Sequence, residues 1–258
     1  MQHRLGIVLS GGGSRGLAHA GVLRALAEEG IFPDCVAGTS AGALAGALYA
    51  AGRSAADTLR FFEDTNPFRW SRLALRKPGG FIDSEKIEDE LRRWFPDDRF
   101  EALERRLFVT ATDLLSGRLE IFASGPLVRP LLASSSVPFV FTPIEVGGRL
   151  FVDGGIINNF PVEPLVGLCD VILGVYATPL SEPLVADLGS TFAVTQRALE
   201  IGMFHASKRK FHHADLVICP PALSHFTTFD LKRHAEIAEI GYRAALERID
   251  EIRALVGT

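Results

Sequence analysis

Cysteine is scarce in this chain of 258 residues: only Cys35, Cys169 and Cys219 occur, an odd number with no C-x-x-C pair. That argues against a disulfide framework and against a zinc site, and leaves free buried thiols in a reducing compartment as the expectation. Long hydrophobic runs are missing as well. No stretch of 18 or more consecutive apolar residues appears, so a membrane-spanning helix has no support. His3 and Arg4 are followed only by Leu5-Gly6-Ile7-Val8-Leu9 before a glycine cluster, too short for a signal-peptide core, which points to a cytoplasmic protein. Positive charge is not in excess either: 27 Lys and Arg stand against 31 Asp and Glu, a formal net charge of -4. A general affinity for nucleic acid or anionic membrane is therefore not expected, and any contact with lipid would be local, peripheral and transient.

Apolar residues make up 47% of the chain, enough for one sizeable core, and composition demands no second domain; residues 1–258 read as one unit. Leu5–Leu9 is a short apolar run that reads as a strand, and Leu17–Glu29 carries apolar residues at helical spacing before Gly30 stops it. Cys35-Val36-Ala37 reads as a second strand and Ala43–Ala51 as a second helix. Two strand-turn-helix units in succession predict an α/β fold with a mostly parallel sheet covered by helices on both faces. Residues 54–106 read as a mostly helical cap. Beyond them the spacing predicts strands at Leu107–Thr112, Leu119–Phe122, Ile144–Val146, Leu150–Val152, Asp170–Tyr176 and Asp215–Cys219, a helix over Leu188–Ser207, and one long amphipathic helix from Leu231 to Val256.

Three segments carry chemistry. Gly38-Thr39-Ser40-Ala41-Gly42 is a G-x-S-x-G sequence between a strand and a helix, where Gly38 and Gly42 permit a sharp elbow that lifts a serine hydroxyl above the sheet. Gly11-Gly12-Gly13-Ser14-Arg15-Gly16 joins the first strand to the first helix, so its backbone N–H groups can converge on negative charge. The charge could be the oxyanion of an acyl-transfer intermediate or a nucleotide phosphate, since Gly11, Gly13 and Gly16 also satisfy G-x-G-x-x-G. The nucleotide alternative lacks its ribose-binding acid, because the second strand runs straight into Gly38-Thr39-Ser40 and Asp34 lies at the strand's other end. A Walker A loop fails on Leu17 where a lysine is needed. Finally, Phe151-Val152-Asp153-Gly154-Gly155 places an acid at a strand end beside two glycines, which makes Asp153 the prime candidate for the base a nucleophilic serine needs.

Together with Ala133-Ser134-Ser135-Ser136-Val137-Pro138, Phe141, Pro143, Asn159 and Pro161, these blocks resemble the patatin-like phospholipases in their short bacterial form. The resemblance runs from Leu5 to the final helix and departs slightly at Ser136, where a smaller apolar residue is expected. It implies a three-layer α/β/α fold and hydrolysis of lipid acyl esters through an acyl-enzyme, without metal or cofactor. It also implies a Ser40–Asp153 dyad, with the oxyanion hole on Gly11, Gly12, Gly13, Arg15 and Gly16. The substrate partner is then a lipid or acyl ester, of phospholipase A or lysophospholipase type. An acyltransferase or a regulatory lipid-binding module on the same fold remains an alternative.

His19 lies early in the first helix and reads as a packing residue that steadies the glycine loop. His205, His212, His213, His225 and His234 follow Asp153, so chain order alone leaves a Ser-Asp-His triad open, although no motif singles one out. Aromatic and basic residues interleave in Phe61-Phe62, Pro67-Phe68-Arg69-Trp70, Arg72, Leu73, Leu75, Arg76 and Lys77. Packing of a cap helix is one reading, and an interfacial lid is the other.

Overall fold

A computed structural model describes residues 4–65, 80–82, 85–228, 230 and 232–257. Strand β1 (Leu5–Leu9) is buried along its whole length, with Ile7 and Leu9 packed into one apolar cluster and Val8 into another, as a strand with both faces covered requires. It leads through a single 3-10 turn (Gly13–Gly16) into α1 (Leu17–Glu28); β2 (Cys35–Thr39) leads directly into α2 (Ala41–Ala50). Then come α3 (Ala55–Asp64), β3 (Gly80–Ile82), α4 (Glu85–Trp94), β4 (Arg106–Asp113), β5 (Arg118–Phe122) and α5 (Val128–Ser134). The short strands β6 (Phe139–Phe141) and β7 (Ile144–Val146) precede β8 (Arg149–Asp153) and β9 (Val171–Val175). Helix α6 (Thr191–Lys208), β10 (Leu216–Ile218), α7 (His234–Leu246) and α8 (Ile249–Val256) complete the chain.

The main sheet runs β10-β9-β1-β2-β4-β8-β7, with β5 also on β4. Strands β10, β9, β1, β2 and β4 are mutually parallel, and β5, β8 and β7 add antiparallel pairs. Helices α1, α2, α5 and α7 cover one face; Phe160, Tyr176, Phe204 and Phe211 pack edge-on over the other. The result is the expected α/β/α layering.

The register of β4 places the site. β2 pairs with β4 from Arg106 to Thr110, running with it; β8 pairs with β4 from Ala111 to Asp113, running against it. β5 overlaps both stretches, from Val109 to Asp113, and so occupies the other edge. β2 and β8 therefore share one edge of β4 and approach end to end, β2 stopping at Thr39 opposite Thr110 and β8 at Asp153 opposite Ala111. Thr39 and Asp153 occupy consecutive rungs of one strand, so Ser40, the next residue after Thr39, meets Asp153 from 113 positions away in the chain.

One expectation differs from the structure, and two elements lie outside the expectations. The single helix over 231–256 is two, because the chain breaks at Glu247 and Arg248 so that Ala245 and Ile252 can both reach the core. The 54–106 segment contains β3, which pairs with β6, alongside its helices. Helix α5, short and flanked by serines, has no signal of its own in the apolar periodicity. The interleaved aromatic and basic stretch lies largely outside the described residues, Phe61 and Phe62 excepted; both belong to α3 and pack against the core cluster.

Candidate active site

Ser40 sits at the turn between β2 and α2 with φ 55 and ψ -127, a conformation that costs a non-glycine residue about 1–3 kcal/mol and is held only where the surroundings dictate it. They do so here. The Ser40 N–H donates to Ser134 Oγ at 2.8 Å, tying the elbow to the end of α5. Gly42 crosses so near β1 that a Cβ there would stand 2.1 Å from the Leu9 carbonyl oxygen, so the elbow closes only with glycine at that position.

The Ser40 hydroxyl donates to Asp153 Oδ2 at 2.6 Å. The other carboxylate oxygen, Oδ1, accepts the Gly155 N–H at 2.7 Å, while the Asp153 backbone is pinned by its N–H to Ser136 O and by Thr112 Oγ1 donating to its carbonyl. Burial pushes the Asp153 carboxyl up from 3.8 to about 6, against the lowering effect of the Ser40 and Gly155 hydrogen bonds. Among the described residues, no imidazole is hydrogen-bonded to Ser40 or Asp153. Among the five downstream histidines, His205, His212, His213 and His225 are exposed, and only His234 reaches a cleft that touches Ser40. His19 is fully buried, with Nε2 2.7 Å from Ser10 O at the root of the glycine loop, and burial lowers its pKa to about 4.

The glycine loop lies on the same cleft as Ser40 and Asp153. Among the described residues, the N–H groups of Gly11, Gly12 and Gly13 have no hydrogen-bond acceptor. Gly13 has φ 58 and a Cβ there would fall 2.2 Å from Thr228 O, so the loop and the Thr228 backbone can approach this closely only with glycine. Ser14 clamps the same place, its N–H on Thr228 O and its hydroxyl on Thr227 O. The Arg15 guanidinium does not reach toward the serine: it donates to Glu200 at 2.9 Å, to Thr228 Oγ1 at 3.1 Å and to Gly12 O.

Two clefts meet at Ser40. The first holds Asp153, Asn159 and the loop glycines and is walled by α6; the second runs among Leu17, Leu44, Phe61, Phe62, Leu132 and Phe141. Asp153 borders the first and not the second.

The model for patatin-like phospholipases matches residues 7–166, which span the glycine loop, the elbow and Asp153. The chain belongs to the patatin-like phospholipase family. Among curated relatives, an uncharacterized NTE family protein of Mycobacterium bovis is 37% identical over 171 residues, covering 64% of this chain and 46% of that protein. A lysophospholipase NTE1 of Pyricularia oryzae is 27% identical over 281 residues, covering 96% of this chain and 18% of the relative. The chain thus spans less than half the length of these relatives. In fold it is similar to VipD from Legionella pneumophila, with TM-score 0.61 at 15% identity, over 97% of this chain and 67% of that one.

On this patatin-like frame, the structure brings together Ser40, Asp153, Gly11, Gly12 and Gly13, with Gly38 and Gly42 closing the elbow and Gly16 packed on Ala41. The sequence singles out neither Ser134, whose hydroxyl holds the Ser40 amide, nor Thr228, which anchors loop and arginine alike. The serine run at 134–136 was the available signal for the first; the second lies 188 positions from Ser40 and has none.

Proposed function

We propose that this chain is a serine acyl hydrolase acting on lipid esters, of phospholipase A or lysophospholipase type. Ser40 is the nucleophile and Asp153 its base. The carrying observation is the 2.6 Å hydrogen bond from the Ser40 hydroxyl to a buried carboxylate, beside three glycine N–H groups with no acceptor of their own among the described residues. A carboxylate at its ordinary pKa is a weak base at neutral pH; burial raises its proton affinity toward the working range. The glycine N–H groups supply preorganised donors to the developing oxyanion, a contribution of about 3–4 kcal/mol per donor in a well-studied hydrolase. Arg15 acts as a positioning residue, locking the loop to α6 with its own charge met by Glu200.

The base also fixes the direction of the substrate. After taking the serine proton, Asp153 returns it to the departing alkoxide, so the alcohol leaves through the cleft that Asp153 borders. The acyl chain then occupies the second cleft, whose walls are mostly apolar. Hydrolysis of a panel of phospholipids, lysophospholipids and glycerides, with Ser40→Ala as control, tests this reading. It predicts fatty acid release that the control lacks; equal release by both proteins would overturn it.

A further inference from the structure

Helix α6 turns apolar residues outward as well as inward. A surface helix ordinarily turns apolar residues inward and charges outward. Here the mid-helix charges are the covered residues: the Arg197 and Glu200 side chains are 16% and 21% exposed, Arg197 donating to the Ser181 carbonyl and Glu200 accepting from Arg15. The outward residues are Val194, Ala198 and Ile201, spaced i, i+4 and i+7, with Val194 51% and Ile201 40% exposed. Gly202 and His205 continue that face without an Asp, Glu, Lys or Arg. Just upstream, the 3-10 turn Val185–Leu188 packs against α6, and Leu184 and Val185 at its start are 73% and 91% exposed.

The opposite face of α6, with Thr195, Leu199 and Met203, lines the cleft that holds Ser40 and Asp153. The helix is therefore a wall one helix diameter thick, about 10 Å, between the reacting serine and the surroundings. At its edge, Leu199, Ile156 and Phe139 both line the cleft and are exposed, so an apolar path leads from the outer face into the site.

We propose that the outer face of α6, with Leu184 and Val185, is the surface by which the protein docks on a lipid bilayer, the helix lying at the boundary of headgroups and acyl chains. This rests on the lipid-ester reading above. Continuity with the cleft selects a bilayer over a second copy of the chain, because a protein seated here would cover the edge at Leu199, Ile156 and Phe139 through which an ester enters. Charge selects the kind of bilayer. Exposed Glu182 and Asp187 precede the face and exposed Lys208 and Arg209 follow it, so opposite signs flank an uncharged stripe and attraction to anionic headgroups is not the driving force. Adsorption is apolar, occurs on zwitterionic lipid and resists salt.

The test uses co-sedimentation of the Ser40→Ala protein with phosphatidylcholine vesicles, so that binding is read without turnover. Val194→Glu with Ile201→Glu should lower the partition coefficient roughly tenfold or more, from the loss of two partly inserted side chains and the gain of two charges. High salt should leave the parent's binding in place. With Ser40 intact, the same pair should keep turnover of soluble p-nitrophenyl butyrate and lose hydrolysis of vesicle lipid. Vesicle binding unaffected by the pair would overturn the proposal, as would a parent that light scattering shows to be a dimer and that the pair converts to monomer. Failure of the parent to cleave any ester would fall on the hydrolase reading instead, since the vesicle measurement uses a protein without its nucleophile.

Discussion

Asp153→Asn should make the protein more stable while disabling it. The unfolded carboxyl ionises near 3.8 and the folded one near 6, because burial penalises its charge. Below about pH 4 both states carry the proton and the site costs nothing. Between pH 4 and 6 the unfolded chain ionises first, and stability is lost as pH rises through the folded value. Above pH 6 the folded protein bears the full penalty, about 3 kcal/mol at 1.36 kcal/mol per pKa unit. Asparagine removes the charge and keeps the geometry: its Oδ1 can still accept the Gly155 N–H, and its amide can donate to the Ser40 oxygen. At roughly 2–4 °C per kcal/mol for a domain of this size, the variant should melt about 6–12 °C above the parent at pH 8. The advantage should vanish near pH 4. Melting curves of the two proteins across that range, followed by circular dichroism, measure it. A variant no more stable than the parent at pH 8 would refute the reasoning that a strained charge is stored at this position.

Other consequences follow from the same geometry. Ser40→Ala should abolish cleavage of p-nitrophenyl esters while the protein still folds, at a cost of about 1–3 kcal/mol above pH 6 because the buried Asp153 carboxylate loses a donor, read by steady-state rates and a thermal scan. Gly12→Ala would set a Cβ 3.2 Å from the Ala177 Cβ and 3.3 Å from Gly16 N, shifting the loop by a few tenths of an ångström. That change should lower kcat more than it raises KM, since donors to an oxyanion act in the transition state, and a change confined to KM would count against the loop's assignment. Ser134→Ala strands the buried Ser40 N–H and should cost about 1–3 kcal/mol of stability along with much of kcat, whereas Ser134→Thr, which keeps a hydroxyl, should restore part of both.

The parts of the site legible in sequence are those set by short segments. The strand, glycine loop and helix at 5–29 and the strand, elbow and helix at 35–50 lie where apolar periodicity and glycine placement put them, because each turn is built from neighbouring residues. What joins the segments is longer in range. The end-to-end meeting of β2 and β8 on one edge of β4 depends on register, and no local pattern at Cys35–Thr39 or Arg149–Asp153 encodes it. The engagement of Arg15 by Glu200 and Thr228 spans more than 180 positions, so the sequence showed a basic residue in the loop without showing where its charge is met. Helix α6 was legible as a helix, but its apolar outer face was not, since Arg197 and Glu200 look like ordinary surface residues until their partners are in place.

Direct proton transfer from Ser40 to Asp153 is most plainly tested by the rate at which a fluorophosphonate labels Ser40 as pH varies. Fluoride departs without needing an acid, so the rate reports the base alone. The parent rate should rise through a pKa near 6; Asp153→Asn should fall toward the background of Ser40→Ala; and His234→Gln, the one downstream histidine on a cleft beside the serine, should follow the parent curve. An Asp153→Asn protein that labels at the parental rate, or a His234→Gln protein that loses the pH-dependent rise with its fold intact, would contradict the dyad.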